Sequence, residues 1–397
     1  MNHPLCEQFK EICSDLPAHA LNNLLTIAQC MCLARSTNLA KAKDYVSQVL
    51  GYSEENAVQP PSHYRRLTRF FDAATKAEQD GGFYYALGDA IHHISLGIMG
   101  SLPKSKCKKL RVLLLDGTKW EVRGEKVQFL TLAMVHQGVA LPIYADDLLK
   151  AGHSSQAERI EFLKRAGERF DLRNMLLLGD REYVGIQWFE ALHVEFGIQF
   201  VIRLKKGIYH QHIEAAGGKT WEQMQQKLRG NKKKTLVSKL IKLGGQIYRY
   251  VITRNPKAGS KDEDEFLYLL TTLPSAKTAV SQYAVRWQIE VLFRHLKSNG
   301  FDLESTRVEG KYKREVMMQI LCLVYLLAIR EGLLFYQRCP KARQVKMDYA
   351  RKVKTLVHSV FRQGLCILMR KVASLDNMIR YLASILDKAR PPEWGHV

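Results

Sequence analysis

The segment from about residue 110 to 205 constrains the fold more than any other part of the sequence. It alternates short apolar runs with amphipathic stretches of roughly 3.6-residue period, which are typical of buried strands and surface helices respectively. Three strands are predicted first, from the runs RVLLLDG, KVQFLTLAMVHQG and VALPIYADDL. The helix AERIEFLKRAGERF and the strand NMLLLGD follow. The segment ends with the helix EYVGIQWFEALHVEF and the strand IQFVIRLK. Strands and helices in this order predict a mixed α/β sheet.

The regions that flank this segment have different predicted secondary structure. Residues 1–108 read as helices, 206–272 as a β-rich insertion, and 331–397 as helices again. Within 206–272, the HxH pair His210 and His212 is better explained by a surface strand than by a metal site. We therefore predict a helical N-terminal DNA-binding region (1–108), an α/β core in two parts (109–205 and 273–330) separated by the insertion (206–272), and a helical C-terminal region (331–397).

The chain is strongly basic, and its charge limits the classes of partner. With 60 lysines and arginines against 39 acidic residues, the 397-residue chain has a formal net charge of +21. Such an excess favours nucleic acid first and an anionic membrane surface second. The most apolar run, MMQILCLVYLLAI (317–329), has 13 residues, which is too short for a membrane span and predicts a buried core helix.

The N-terminus and the cysteines predict the cellular compartment. The stretch MNHPLCEQFKEICSDLP contains acidic residues and lacks a long apolar core, so we predict no signal peptide. The eight cysteines are scattered without a CxxC pair, which argues against a zinc ribbon or a disulfide framework and suits a reducing cytosol. We expect a cytoplasmic protein with no membrane partner.

In two of the predicted strands, the apolar run ends in an aspartate. These residues are Asp116 after RVLLL and Asp180 after NMLLLG. Two divalent ions about 4 Å apart can cleave a phosphodiester, and carboxylate oxygens are their preferred ligands. Each aspartate also has a simpler explanation, since Asp116-Gly117 is a common turn pair and Asp180 could cap the next helix.

A third carboxylate lies in YAVRWQIEVLFRHLKS (283–298), predicted as part of a helix that begins at the N-cap Ser275 and ends near Asn299-Gly300. On a wheel of about 100° per residue, Arg286, Glu290 and Lys297 lie roughly 60°, 20° and 40° to one side of Tyr283. Four polar groups thus share one stripe opposite an apolar face. By itself such a stripe is more often a solvated surface.

Taken together, these residues resemble a known family. The spacing Tyr-x₂-Arg-x₃-Glu-x₆-Lys is similar to the YREK signature of bacterial insertion-sequence DDE transposases of the insertion-sequence-four family. DGTKW (116–120) and GDREY (179–183) resemble the blocks around that family's first and second aspartates, and the β-rich stretch lies where the family carries an insertion. The resemblance covers roughly residues 110–300, and all six signature positions match.

The resemblance implies a ribonuclease-H-like catalytic core that cuts double-stranded DNA at the element ends and joins them to a target, often through a hairpin intermediate. It implies that Asp116, Asp180 and Glu290 hold two Mg²⁺ ions, for which Mn²⁺ can substitute. Tyr283, Arg286 and Lys297 would grip backbone phosphates, in agreement with their chemistry. A homodimer in a synaptic complex and a nucleoid-associated location in a bacterial cytoplasm follow from the same likeness.

Further residues are candidates for DNA contact. Trp287 could stack on an unpaired base or pack against the insertion. Arg181 and Arg203 could contact phosphates or form structural ion pairs, and HYRRLTRFF (63–71) could dock on DNA or present a solvated basic face.

Three other functions compete with transposition. A tyrosine recombinase is disfavoured because the only HxxR string lies in the wrong third of the chain. A metal-dependent nuclease on the same fold, and a DNA-binding protein without catalysis, remain alternatives.

Overall fold

The structure is a computed structural model that describes residues 16–53, 56, 58–76, 83–104, 110–231, 233–255, 265–348 and 353–396. The first fifteen residues, most of the basic run KSKCKKLR and Lys232 lie outside these ranges. The N-terminal region is helical, as predicted. Its helices are α1 (Ala18–Ala34), α2 (Leu39–Ala42), a 3₁₀ turn (Lys43–Tyr45), α3 (Val46–Leu50), α4 (Pro60–Lys76) and α5 (Phe83–Gly100).

The centre of the fold is one eight-stranded sheet with the order β3-β2-β1-β4-β5-β8-β7-β6. Strands β1, β4 and β5 are parallel to one another, and every other neighbouring pair is antiparallel. The strands are β1 (Val112–Val122), β2 (Glu125–His136), β3 (Val139–Asp147), β4 (Leu176–Gly179), β5 (Gln199–Leu204), β6 (Leu236–Leu243), β7 (Gln246–Arg254) and β8 (Phe266–Thr271), with a separate hairpin of β9 (Val345–Asp348) and β10 (Val353–Leu356).

The first five strands confirm the predicted ribonuclease-H-like core. Three antiparallel strands come first, and the chain then crosses by helices to two parallel strands. Residues 112–115 and 176–178 are buried on both sides of the sheet, because helices cover both faces. This explains why these strands are uninterrupted apolar runs in the sequence.

Helices surround the sheet and form most of the C-terminal third. The predicted helical region 331–397 also contains the hairpin of β9 and β10, and a single helix runs across its predicted start at residue 331. Helix α6 begins with a capping box, in which the side chains of Ser155 and Glu158 each bond the other's backbone amide. The helices are α6 (Gln156–Arg169), α7 (Ile186–Glu190) with a π-helical turn (Ala191–Glu195), α8 (His210–Ala215), α9 (Trp221–Arg229), α10 (Ala276–Tyr283), α11 (Trp287–Leu296), α12 (Lys311–Arg338), α13 (Val360–Lys371) and α14 (Leu375–Leu386); further 3₁₀ turns are Ala284–Arg286, Leu303–Ser305 and Pro340–Ala342.

The insertion after β5 is β-rich as predicted, but it begins with two helices. His210 and His212 lie in α8, so the predicted surface strand is wrong there; Gly207 adopts a positive φ of 79° and turns the chain out of the sheet. Helix α9 begins with a capping box of Thr220 and Gln223, a signal that the reading of this stretch as strands overlooked. The three strands β6, β7 and β8 then extend the same sheet beyond β5.

The helix predicted from Ser275 to Asn299 is two helices joined by a 3₁₀ turn. Ser275 is the N-cap, as expected, and its side chain accepts a hydrogen bond from the Thr278 amide at 3.2 Å. The 3₁₀ turn spans Ala284–Arg286, and α11 ends at Leu296, three residues before the predicted end. Short 3₁₀ segments commonly connect helices.

The predicted core helix is α12, which is much longer than its apolar run. An 18-residue window of it has a mean hydropathy of 1.8, so length and composition alone would suit a membrane span. However, 72% of that window is buried inside the protein. Its ends carry Arg314, Glu315 and Glu331, which are buried and form ion pairs or hydrogen bonds with neighbouring elements. Helix α12 is therefore the central helix of the core.

Close packing of α12 and α13 leads to a stability prediction. A Cβ built on Gly364 would collide with the carbonyl oxygen of Ala328 and lie 2.5 Å from the amide nitrogen of Gly332. Because both are backbone atoms, the two helices must separate to admit a methyl group. We expect Gly364→Ala to lower the free energy of unfolding by about 1–3 kcal/mol, measured by urea denaturation.

The control is Gly167→Ala in α6, where nothing lies within 4 Å of the added Cβ. Alanine loses less backbone entropy than glycine in a helix, so this variant should gain about 0.5–1 kcal/mol. If both variants shifted the urea midpoint in the same direction, the contact between α12 and α13 at Gly364 would not be too close to admit a methyl group.

Candidate active site

The register of the parallel strands places two of the predicted carboxylates side by side. The parallel pairing of β1, β4 and β5 ends at Leu115, Gly179 and Ile202, which lie side by side. The residues that follow them are Asp116, Asp180 and Arg203, and neighbouring strands lie about 4.8 Å apart. The Nη1 atom of Arg203 is 3.9 Å from Oδ1 of Asp180. We call Asp116, Asp180 and Arg203 the catalytic row, after the function that we propose for this site in the next subsection.

The simpler explanations of the two aspartates are wrong. Asp116 lies in the middle of β1, opposite Thr131 of β2, and not in a turn. Its Oδ1 accepts a hydrogen bond from the Gly117 amide at 2.8 Å. The helix after Asp180 begins only at Ile186 and is capped by Gly185, so Asp180 is not an N-cap residue.

Arg286 joins the third carboxylate to this row. Its Nη1 is 3.3 Å from Oδ2 of Asp116, and its Nη2 is 3.6 Å from Oδ2 of Asp180. The same Nη2 forms an ion pair with Oε1 of Glu290, one turn further along the chain. Asp116, Asp180 and Glu290 therefore converge on a single guanidinium group, whose side chain is only 12% exposed.

Burial and crowding of like charges shape the electrostatics of the site. Burial raises the pKa of Asp116 to about 7, although Arg286 and the Gly117 amide oppose the shift, and Asp180 adds to it. Burial alone would lower the pKa of Arg286, but the surrounding carboxylates raise it above its ordinary value. Positive charge is therefore strongly favoured at this site.

Tyr283 also reaches the catalytic row. Its hydroxyl donates a hydrogen bond to Oδ1 of Asp180 at 3.3 Å. Burial, followed by the nearby Asp180 carboxylate, raises the pKa of Tyr283, so the phenol stays protonated at neutral pH. The helix-wheel expectation that Tyr283, Arg286 and Glu290 lie together therefore agrees with the contacts of the structure.

Lys297 lies apart from these groups. It follows the last residue of α11, where its Nζ donates to the Lys119 carbonyl at 2.7 Å and pairs with Oε1 of Glu304 at 2.8 Å. The shared polar stripe thus does not extend to Lys297, because the helix ends at Leu296. Lys297 instead ties the end of α11 to β1, three residues beyond Asp116.

The other two DNA-contact candidates flank the site. Arg181 follows Asp180, its backbone amide donates to the Asp180 carboxylate at 2.8 Å, and its side chain is exposed. Trp287 is half-buried, and the Arg294 guanidinium carbon lies 5.1 Å from its ring centroid.

Two residues that support the site were not singled out from the sequence. Tyr183 is fully buried, and its hydroxyl donates to Oδ1 of Asp116 at 3.5 Å. The Arg159 guanidinium lies 5.3 Å from the Tyr183 ring centroid and donates to the Ser154 carbonyl at 2.6 Å. The position of Tyr183 within GDREY was a usable signal, whereas an arginine in an amphipathic helix such as α6 looks like part of a solvated face.

The donor set suits hard divalent cations. Three carboxylates face one internal cation, and oxygen donors of this kind are the preferred ligands of Mg²⁺ and Mn²⁺. Within the described ranges, no three His, Cys, Asp or Glu side chains lie close enough to form a ligand group by themselves, since Arg286 lies between these carboxylates. The residues fit the chemistry of a metal site, with Arg286 as the present counter-charge.

Comparison with known proteins decides the family. A family model described as "Transposase DDE domain" matches residues 108–327, which is more than half of the chain and includes the whole catalytic row and Glu290. The chain belongs to the DDE-domain transposases. Transposases act on DNA, in agreement with the basic composition, and this family cleaves DNA strands and transfers them.

Two solved structures are remotely similar to this transposase. A piggyBac transposase in a synaptic complex with hairpin DNA has 11% identity and a TM-score of 0.47, covering 98% of this chain and 86% of the other. Endonuclease V from Bacillus subtilis has 12% identity and a TM-score of 0.24, covering 50% and 81%. No curated protein matches the sequence. With TM-scores this low, the fold rests on the sheet order and register described above.

Proposed function

We propose that this transposase is a metal-dependent enzyme of the insertion-sequence-four type that cuts DNA at the ends of its own element and joins them to a target. The observation that carries the proposal is the convergence of Asp116, Asp180 and Glu290 on Arg286 at one edge of the sheet. A rigid sheet presents two of these carboxylates and a buried helix the third, which gives the fixed geometry that such chemistry requires.

Asp116, Asp180 and Glu290 would hold two Mg²⁺ ions, or Mn²⁺ in their place. Such ions activate the attacking oxygen and stabilise the leaving oxygen of a phosphodiester. The protein's own part is to hold these carboxylates at low exposure. The hydrogen bonds from Gly117 and Tyr183 fix the orientation of Asp116, and the one from Tyr283 fixes that of Asp180.

The cations and phenol beside the row suit a DNA backbone. Arg286 and Arg203 would neutralise phosphate oxygens near the cut and hold the strand in line. Tyr283 can donate to a phosphate oxygen, and the exposed Arg181 extends this surface. Lys297 is a phosphate contact only if it leaves Glu304. A hairpin route, with Trp287 stacking on an unpaired base, is consistent with the half-exposed indole.

Helix α4 is the proposed N-terminal DNA contact. Arg65 and Arg69 are exposed on it, whereas Arg66 donates to Oδ1 of Asn23 at 3.0 and 2.9 Å and helps to hold α4 against α1. Two of the three arginines in HYRRLTRFF are therefore available for phosphates. Synapsis of two element ends calls for a homodimer, and we place the protein with the nucleoid in a bacterial cytoplasm.

The deciding experiment compares wild type with Glu290→Gln on DNA that carries the sequences flanking this gene, with and without Mg²⁺. We expect wild type to cut at the element boundary only with Mg²⁺. The variant should lose about a thousandfold in cleavage rate, the upper end for one electrostatic group at a reaction centre. It should bind DNA nearly as well, because binding depends on the basic groups.

Glu195→Gln is the matched control, since Glu195 is an exposed carboxylate that pairs with Lys164 and lies just before the start of β5, at the opposite end of this strand from Arg203. It should cleave like wild type. Cleavage without any joined product would favour a nuclease. Binding by all three proteins without cleavage by any would favour a DNA-binding protein that has lost catalysis.

A further inference from the structure

The edge of the sheet that carries the catalytic row continues past β5 into a surface rich in lysine. We propose that this surface holds the backbone of duplex DNA as it runs on from the point of cleavage. We call it the lysine edge, and it consists of Lys205, Lys206, Lys227, Lys233 and Lys234. The inference rests on the proposed function, because it extends the path of the same DNA.

Strand directions place these lysines at one edge. β5 ends at this edge, so its antiparallel neighbour β8 begins there, β7 ends there and β6 begins there. The register agrees, with the pairs Leu204 and Tyr268, Arg254 and Phe266, and Leu236 and Thr253. Lys205 and Lys206 directly follow β5, and Lys233 and Lys234 precede β6 by two to three residues.

Helix α9 adds Lys227 to the same edge. The C-terminal turn of α9 is fixed there by Arg254, which donates to the Leu228 carbonyl, and by Arg229, which pairs with Oε2 of Glu265 at 2.8 Å. The side chain of Lys227 is exposed and contacts that of Lys234. The helix and the strands therefore contribute to one continuous surface.

The charge of this region is one-sided. Residues 203–265 contain 15 lysines and arginines and six acidic residues, four of which are the run 262–265, so they contribute +9 to the net charge of +21. Glu265 forms an ion pair with Arg229. In the described part of the chain, no carboxylate lies within ion-pair distance of the lysine edge.

Like charges crowd together on this surface. The amine of Lys227 contacts those of Lys219 and Lys234. These contacts lower the pKa of Lys219 and the pKa of Lys234. Amines this close to each other repel when both are protonated. A polyanion on the surface would place negative charge beside these amines and replace repulsion by attraction.

The dimensions fit a short stretch of duplex. From β5 to β6 there are three strand spacings, or about 14 Å. Base pairs rise about 3.4 Å each along the DNA axis, so the surface spans about four base pairs beyond the catalytic row. Lys205 and Lys206 lie at the β5 end of this span, whereas Lys227, Lys233 and Lys234 lie at the β6 end, so the phosphates of one DNA strand can be contacted at both ends.

The test is a triple variant, Lys206→Gln, Lys227→Gln and Lys234→Gln, with a control of equal charge change. The control is Lys242→Gln, Lys341→Gln and Lys388→Gln, which are exposed lysines away from this edge; Lys242 lies at the opposite end of β6. Binding to duplex DNA is measured by fluorescence anisotropy between 50 and 200 mM salt. Each lost phosphate contact reduces the slope of log affinity against log salt by about 0.9.

We expect the edge variant to lose about 2–3 units of slope and the control variant much less. The same loss should occur on duplex of unrelated sequence, since backbone contacts carry no sequence information. Hydroxyl-radical footprinting should show lost protection confined to about four base pairs on one side of the cut. Equal slopes for the two variants would overturn the proposal.

The two proposals fail separately. If wild type does not cleave, but only the edge variant loses slope, the lysine edge stands and the proposed cleavage does not. If wild type cleaves in Mg²⁺ and the edge variant keeps the wild-type slope and footprint, cleavage stands and the lysine edge is wrong. Because all six lysines are on the surface, neither triple variant should have a lower thermal midpoint than wild type.

Discussion

The Arg286→Met variant should lose DNA cleavage by about a hundred- to a thousandfold, the usual effect of removing one group that stabilises charge at a reaction centre. Arg286 is the one residue whose side chain contacts Asp116, Asp180 and Glu290 together in the described structure. Methionine keeps much of the length of the side chain and removes its charge. The rate is measured by single-turnover cleavage of an element-end duplex in Mg²⁺.

The same variant should also be less stable when divalent ions are absent. Asp116 and Glu290 would then lose their counter-charge, and Asp180 would keep only Arg203 at 3.9 Å, at a site where burial already raises the pKa of Asp116 to about 7. We expect a loss of about 1–3 kcal/mol, as for a charged group that loses its partner. Because a ligand that binds only the folded state stabilises it, Mg²⁺ should raise the melting temperature of the variant more than that of wild type.

Two controls separate charge from geometry. Arg286→Lys keeps a positive charge but cannot contact three carboxylates with a planar fork, so it should restore stability more than cleavage. Arg181→Met removes an exposed arginine beside Asp180 and should change stability little. A wild-type cleavage rate in Arg286→Met would show that this guanidinium is not part of the active site.

The sequence predicts the core of the fold because local signals and packing agree there. Buried strands on both faces of a sheet must be continuous apolar runs, and the runs before Asp116 and Asp180 are of that kind. Asp116 and Asp180 lie side by side because each follows such a run and because β1 and β4 are parallel neighbours. Arg203 was named only as a candidate, since its place in the same row depends on the register of β5, which no local pattern specifies.

Elsewhere the decisive contacts join residues that are distant in sequence. The buried charges at both ends of α12 look like surface residues until their partners on β3 and α14 are known. The three strands of the insertion extend the main sheet because β8 pairs with β5 across more than sixty residues, which alternation within each strand does not reveal. Lys297 leaves the polar stripe because the helix ends at Leu296, and helix ends are the least certain part of any pattern.

The largest expected effect on stability comes from Arg314→Met at the start of α12. The Nε of Arg314 donates to Oδ2 of Asp147 at 2.7 Å, and its Nη1 pairs with Glu125 at 3.0 Å. The side chains of Arg314 and Asp147 are 5% and 0% exposed. Removing one partner leaves the other charge buried and unpaired, which costs about 3–5 kcal/mol. Urea denaturation followed by circular dichroism measures the loss.

The position of this ion pair explains why it should matter for the whole core. Asp147 is the last residue of β3, at the outer edge of the sheet, and its amide donates to Oε1 of Glu315 at 3.3 Å. Glu315 in turn accepts a hydrogen bond from the Tyr84 hydroxyl of α5 at 2.7 Å. One buried polar network therefore fastens the sheet, the central helix and the N-terminal helices to each other, and every member depends on the others being in place.

Arg123→Met is the matched control, because Arg123 also pairs with a carboxylate across elements, but with 60% and 50% of the two side chains exposed. Exposed pairs contribute about 0–1 kcal/mol, so this variant should unfold close to wild type. The double variant Arg314→Met with Asp147→Leu removes both buried charges and should recover part of the loss, since an apolar pair of similar volume needs no solvation. If the double variant were as unstable as the sum of the two single variants, the destabilisation would come from lost packing and not from an unpaired charge.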